Sequence, residues 1–269
     1  MCGRYVAVTK IKKIEKRFNV VATQPELYKP STNISHGDLA PVICVDKPDQ
    51  LQFFHFGFTQ SWAKKPGDMV NARSEGDHNK EDQISYRGAM GIVNKPMFRS
   101  SIRSRRCLVV ADCFIEGPKK EKLSKPHVVY LKDKVRPFCL AGIWDEWADQ
   151  ATGEVMKSFA VITTVANEVT AAIGHHRSPV IIDPADERAW LNQDLPLSDV
   201  TSLLKPYPAK KMNAYPNSTA IKSPTAEGIR LLDPVGERLF PEHEYEVTQS
   251  YRLDGMGSTT ARDRKNREA

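Results

Sequence analysis

The sequence predicts an α+β fold: a single domain of mainly antiparallel, barrel-like β-sheet with a few short peripheral helices. Two observations predict it. The middle of the chain is a series of short runs rich in β-branched and aromatic residues, CLVVADCFI, HVVYLK, PFCLAGIW and SFAVITT, broken by turns. No long helical segment separates these runs, so they pair as antiparallel strands rather than through crossover helices, and a closed or barrel-like sheet accommodates them.

Taken in order, GRYVAV (residues 3–8) reads as a short strand. TKIKKIEKRF then places Ile11, Ile14 and Phe18 at helical spacing under a basic outer face, with Thr9 as the expected cap. From Tyr28 to Pro41 the Pro, Ser, Asn and Gly content predicts a long loop before the strand PVICV. QLQFFHFGF follows as a strand that ends at Gly57. Asp183-Pro184 starts a helix that runs through ERAWL, with Asp as cap and Pro in the first turn, and Ser198 starts another through DVTSLL. The domain is expected to span residues 2–245, and the polar, apolar-poor segment 246–269 is expected to be a mobile tail.

With 40% hydrophobic and 27% charged residues in a chain of 269, a packed core is expected and wholesale disorder is not. No apolar run is long enough to span a bilayer, and MCGRYVAV lacks the basic start and apolar stretch of a secretory signal, so a soluble cytoplasmic protein is expected. The net charge of +6 is only a weak lean towards a polyanionic partner. Five cysteines, an odd count without a CxxC pair, argue against a disulfide framework and against zinc. Cys44, Cys107, Cys113 and Cys139 lie in apolar runs and read as small buried hydrophobes. Cys2 differs because it adjoins the chain terminus.

If Met1 is removed, Cys2 carries two nucleophiles on adjacent carbons. An aldehyde condenses with the amine to a Schiff base, and the thiol then closes a five-membered thiazolidine, which an internal Cys cannot form. An α-amine with a pKa of about 7.7–8.0 is partly neutral, hence nucleophilic, near neutrality. Asn71 and Arg73, in VNARSE, combine an amide donor and acceptor with a fork suited to phosphate. Glu116 ends the run ADCFIE, where partial burial would raise its pKa into the range of general acid–base work. In GHHRSP a His offers a hydrogen bond to an ether or hydroxyl oxygen, and Arg177 a phosphate contact. Adjacent His on an extended segment point to opposite faces, which disfavours a joint metal site. Each segment alone has an ordinary structural reading: an accidental Cys, a turn Asn with a surface ion pair, a strand-end Glu, one packed and one exposed His.

In combination and order these segments resemble the SRAP family, the SOS response-associated peptidases or abasic site processing proteins. The resemblance rests on MCGRY, SWAKK followed by NARSE, CLVVADCFIEG, AGIWDEW and ITTVAN leading into HHRSPVI, with STAIKSP similar to a late family strand. It implies a DNA–protein crosslink to abasic sites in single-stranded DNA, by lyase-like Schiff-base chemistry, during the DNA damage response. It also implies autopeptidase action that removes Met1. By resemblance Cys2 is the crosslinking residue, Asn71 contacts the sugar and orients the Cys2 amine, and Glu116 is the catalytic glutamate. His175 stabilises the opened sugar, and His176 is a spacer. Arg4, Arg73 and Arg177 are implied phosphate ligands, Thr164 a further polar contact, and Trp62 a surface for base stacking. No cofactor, metal or membrane is implied; a monomer, cytoplasmic and nucleoid-associated when bound to DNA, is expected. The sequence departs from the family pattern at Gly117, where an aromatic often follows the Glu, at Phe58–Gln60, and at Ser178. Two other readings of the residues are a cysteine autopeptidase or amidohydrolase in which Cys2 attacks an amide, and a non-catalytic single-stranded-DNA-binding module.

Overall fold

A computed structural model of the chain describes residues 2–132 and 136–242; the expected domain end at 245 and the expected tail 246–269 lie outside them. The strands are β1 (Tyr5–Ala7), β2 (Val21–Ala22), β3 (Ser31–Ile34), β4 (Leu39–Cys44), β5 (Lys47–Phe56), β6 (Asn71–Arg73) and β7 (Arg106–Ala111). They continue as β8 (Cys113–Glu116), β9 (His127–Leu131), β10 (Phe138–Ala148), β11 (Val155–Val165), β12 (Arg177–Pro179), β13 (Ile181–Ile182) and β14 (Met212–Pro216). The helices are short: α1 (Ile11–Phe18), α2 (Met90–Asn94), α3 (Ser101–Ser104), α4 (Glu168–Ala172), α5 (Glu187–Trp190) and α6 (Leu197–Ser202).

Strands β5, β4, β7, β10 and β11 pair in that order, and β11 pairs back onto β5, which closes a barrel. A second sheet, in the order β14-β9-β8-β1-β3, packs beside it. The fold is thus α+β with a barrel-like sheet and peripheral helices, as expected, but three pairings are parallel: β2–β5, β5–β11 and β6–β11. Parallel pairing arises because β6 resumes the line of β5. Ser158 and Phe159 of β11 pair with His55 and Phe56, and Val161–Thr163 pair with Asn71–Arg73. Between them the chain leaves and returns through a bridge from Phe58 to Met69, and Trp62 stands on that excursion, 67% exposed.

Alternation along the strands divides the core. In β7, Cys107, Val109 and Ala111 join Phe54, Phe56, Leu140 and Phe159 between the barrel wall and the second sheet. Leu108 and Val110 point the other way, to Ile14, Ile92, Ile102, Trp190 and Val200 under the helices. The outer face of the second sheet, with Val6, Ile115 and Val128, is covered by Ile221, Leu231 and Leu232. Strands covered on both faces lose the apolar–polar alternation, which is why they read as continuous hydrophobic runs.

Several local expectations are corrected. Thr9 does not cap α1; its hydroxyl donates to Asp112 Oδ1 at 2.6 Å and its N–H to Oδ2 at 2.8 Å, so it ties the start of the chain to the bend between β7 and β8. The long loop from Tyr28 to Pro41 contains β3 and the start of β4. Ser31–Ile34 lacks an apolar signature because Thr32 donates to Glu227 and Asn33 donates from Nδ2 to the Ser223 and Ala226 carbonyls. The helix expected from Asp183 begins only at Glu187, because the Asp183 carboxylate caps the preceding turn through the Ala185 N–H. α6 begins at Leu197, one residue before Ser198. STAIKSP is not a strand: Thr219–Lys222 form a 3-10 turn, and the late strand is β14.

Candidate active site

The start of β1, the start of β6, the end of β8 and the bend before β12 converge, and they bring Cys2, Asn71, Glu116 and His175 together. Each of the four is buried, Asn71 the least so at 9% exposed. Asn71 donates from Nδ2 to the Cys2 carbonyl at 3.1 Å, which fixes the backbone of Cys2 against β6. β1 pairs with β8, and Ile115 N–H donates to the Arg4 carbonyl at 3.0 Å, so Glu116 ends its strand beside Cys2. Glu116 Oε2 lies 3.3 Å from His175 Nε2, and the Cys2 thiol is a second hydrogen-bond partner of the carboxyl, while Asn71 Oδ1 is buried without a hydrogen-bond partner among the described residues.

The protonation of this group follows from its contacts. His175 Nδ1 lies 2.8 Å from the Arg177 carbonyl, which only an N–H can satisfy, and the 3.4 Å approach of the Arg177 N–H to the same atom is too long to compete. The Nδ1–H tautomer leaves the Nε2 lone pair towards Glu116. Burial pushes His175 down to about 4 and Glu116 up to about 7, so near neutrality the imidazole is uncharged and the carboxyl is poised between its two forms. The protonated carboxyl donates to Nε2. Burial, and then the adjacent Glu116, push the Cys2 thiol up, so the sulfur is a thiol that needs a base, and the nearest one is Glu116.

Arg177 lies behind this group, 2% exposed. Its Nη2 donates to Glu75 Oε2 at 2.8 Å and to the Thr163 carbonyl at 2.9 Å. Thr164 Oγ1 reaches Glu75 Oε1 at 3.5 Å. Gly91 lets α2 dock on this turn, because a Cβ there would stand 1.9 Å from the Glu75 carbonyl oxygen. Arg73 binds Asp82 Oδ1 at 2.6 Å and the Asn79 carbonyl at 2.6 Å. Arg4 donates to the Lys222 carbonyl at 3.3 Å.

A family model described as SOS response associated peptidase (SRAP) matches residues 1–224. The chain belongs to the SRAP family. It is 31% identical over 240 residues to "Abasic site processing protein YoqW" of Bacillus subtilis, covering 87% of this chain and 99% of the relative. It is 27% identical over 243 residues to "Abasic site processing protein HMCES" of Gallus gallus, covering 77% and 67%. A crystal structure of a protein from Bacteroides thetaiotaomicron superposes with a TM-score of 0.70 at 28% identity, over 84% of this chain and 97% of that one.

The departure from the SRAP pattern at Gly117 has a steric cause. A Cβ at Gly117 would stand 1.8 Å from the Lys122 carbonyl oxygen, because the loop after β8 folds back through a 3-10 turn onto its own start. That loop walls a cleft of about 730 Å³ with Lys119, Lys120, Glu121 and Lys122; Arg4, Glu116, His175, His176 and Lys222 also line it. Trp62 and Arg73 are not among its lining residues. Ser178, at another departure, is buried with its hydroxyl 2.7 Å from Thr170 Oγ1. The two His do not point to opposite faces: the chain bends at His176, and the rings lie 4.7 Å apart. Among the described residues no cluster of metal-ligating side chains forms, and no helix is long and apolar enough to cross a membrane. Glu75 and Asp82, both central to the arrangement, were not singled out from the sequence, since their partners are remote in the chain.

Proposed function

We propose that this protein captures abasic sites in single-stranded DNA as a covalent thiazolidine on Cys2, and thereby shields the lesion. The observation that carries the reading is the fixing of Cys2, through Asn71, beside a carboxyl and an imidazole that share one proton at neutral pH. The names of the relatives supply the substrate class.

Removal of Met1, by an aminopeptidase or by the site itself, frees the Cys2 amine. An abasic deoxyribose rests mainly as a closed hemiacetal; proton transfer to its ring oxygen from the Glu116–His175 couple opens it to the aldehyde, while the anomeric hydroxyl returns its proton to the couple. The amine adds to the aldehyde carbon, protonated Glu116 supplies the proton with which the hydroxyl leaves as water, and a protonated imine results. The Cys2 sulfur then adds to the imine carbon. Ionised Glu116 takes the thiol proton as the C–S bond forms, and the C=N electron pair returns to the nitrogen, which keeps its proton as the ring closes. One water is lost overall, and Glu116 ends as it began. A carboxyl that titrates near 7 serves both as acid and as base. Lys119, Lys120 and Lys122 give the cleft the positive charge that a phosphodiester backbone requires, without reading bases. The working place of the protein, in this reading, is the cytoplasm and the nucleoid.

The test is a denaturing gel with single-stranded DNA that carries one abasic site. Wild type is expected to give a denaturation-resistant adduct, and Cys2→Ala to give none while it keeps reversible DNA binding. Equal crosslinking by Cys2→Ala would overturn the proposal.

A further inference from the structure

Asp82 lies in the polar segment between β6 and α2, with a side chain only 8% exposed. Its carboxylate meets Arg73 Nη2 at 2.6 Å, Lys119 Nζ at 3.3 Å, and both Arg177 Nη1 and His176 Nε2 at 3.7 Å. These groups come from β6, from the loop after β8, and from β12 with the bend before it. The donors outnumber what one carboxylate takes up: Arg73 Nε, and Nε and Nη1 of the buried Arg177, make no hydrogen bond among the described residues. Buried guanidinium N–H groups that aim at a site without full partners mark a place built for more acceptor oxygens than it now receives.

The segment that delivers Asp82 is lightly held. Asp82 adopts a left-handed backbone, φ 57°, which a non-glycine residue seldom takes. Its turn is secured by polar contacts from Asn79: the Asp82 N–H donates to the Asn79 carbonyl at 3.2 Å, and the Gln83 N–H to Asn79 Oδ1 at 2.9 Å. The neighbouring Ile84 is 52% exposed rather than packed in the core. Little apolar burial resists the withdrawal of this turn.

Arg73 and Arg177 are already implied as phosphate ligands by family resemblance; we infer that Asp82, held by them and by Lys119 and His176, occupies the place of that backbone phosphate in the DNA-free protein and is displaced when the strand binds. The inference rests on the reading that DNA is the substrate. The charges support the exchange. Arg73, Arg177 and Lys119, set against Glu75, leave a site that one monoanion part-neutralises, and a carboxylate and a phosphodiester are both monoanions. The phosphodiester brings more acceptor oxygens to the unused N–H groups. The turn therefore acts as an internal competitor, which lowers the affinity for every strand equally, so that undamaged DNA is released while a lesion strand is kept by its covalent bond.

The experiment compares wild type and Asp82→Asn, as full chains, binding an undamaged single-stranded oligonucleotide, so that Cys2 chemistry does not enter. Asp82→Asn is expected to bind about tenfold more tightly, with a salt dependence steeper by about one released ion. Equal or weaker binding by a folded Asp82→Asn would overturn the inference. Should Asp82→Asn fail to fold, hydrogen exchange in wild type decides. The Asp82, Gln83 and Tyr86 amides, hydrogen-bonded within the turn, are expected to exchange faster with DNA bound, and unchanged or slower exchange would contradict displacement. If neither protein binds DNA, the proposed function fails, and the site is judged with inorganic sulfate alone. Thermal stabilisation of Asp82→Asn beyond that of wild type supports it, and equal responses contradict it.

Discussion

Glu75 and Glu116 are the two buried carboxyls of the site, 1% and 3% exposed, and they face opposite kinds of partner. Glu75 lies 2.8 Å from the Arg177 guanidinium, a permanent charge, with Thr164 on its other oxygen. Glu116 meets an imidazole that burial keeps neutral and the thiol of Cys2, neither of them a cation. Equal burial thus produces two functions. A carboxylate with a full countercharge anchors structure, and one denied a countercharge keeps a proton to exchange. Arg177 links the two, since its guanidinium serves Glu75 while its carbonyl fixes the tautomer of His175.

The sharpest way to break this contrast is to neutralise each carboxyl in turn. Glu116→Gln is expected to slow crosslinking by about 100-fold or more, the range of general acid–base catalysis, with little change in DNA affinity. Equal losses of rate and affinity would reduce Glu116 to a structural residue. Glu75→Gln should act on the fold instead. It leaves a buried guanidinium short of its countercharge, and a loss of about 3 kcal/mol in urea denaturation is expected. A loss near zero would show that Arg177 does not depend on Glu75.

The pH dependence sharpens the same comparison. Between 4.5 and about 7 the folded Glu116 holds a proton that the unfolded chain has lost, so this group makes stability fall as pH rises through that window. At about 1.4 kcal/mol per pH unit, the effect is about 3 kcal/mol. His175 acts in the opposite sense. Its pKa is lowered from 6.5 to about 4, so its contribution is full above 6.5 and is lost as pH falls towards 4. The two oppose each other in wild type. Glu116→Gln removes one side, so the variant should gain thermal stability over wild type at about pH 8 and lose that advantage on acidification. A constant difference across pH would place the titration elsewhere. The smallest effect concerns the rim. Arg73→Ala should weaken DNA binding modestly and make its salt slope shallower by about one, measured by titration at several salt concentrations. An unchanged slope would remove Arg73 from the backbone contacts.

The strands were legible where both faces are apolar, as in CLVV and SFAVITT, since such runs pack only in a core. They were not legible where side chains are polar and tied to distant partners. Ser31–Ile34 forms β3 on the strength of Glu227, and Asn71–Arg73 forms β6 because β11 offers an edge. Thr9 was read as a cap because a local rule fits it, yet a residue 103 positions away takes its hydrogen bonds. The segments that hold Cys2, Asn71, Glu116 and His175 were recognisable by type and order. The Arg177–Glu75 pair spans 102 positions, and neither it nor the pairing of Asp82 with Lys119, His176 and Arg177 follows from spacing.

The account stands on the amine and the thiol of one residue reacting together. Mass spectrometry of the trypsin-released N-terminal peptide, isolated on abasic single-stranded DNA, tests it most directly. The expected species begins at Cys2, weighs peptide plus abasic strand less one water, and has a sulfur that iodoacetamide does not alkylate. A crosslinked peptide that retains Met1, or a thiol still open to alkylation, would contradict it.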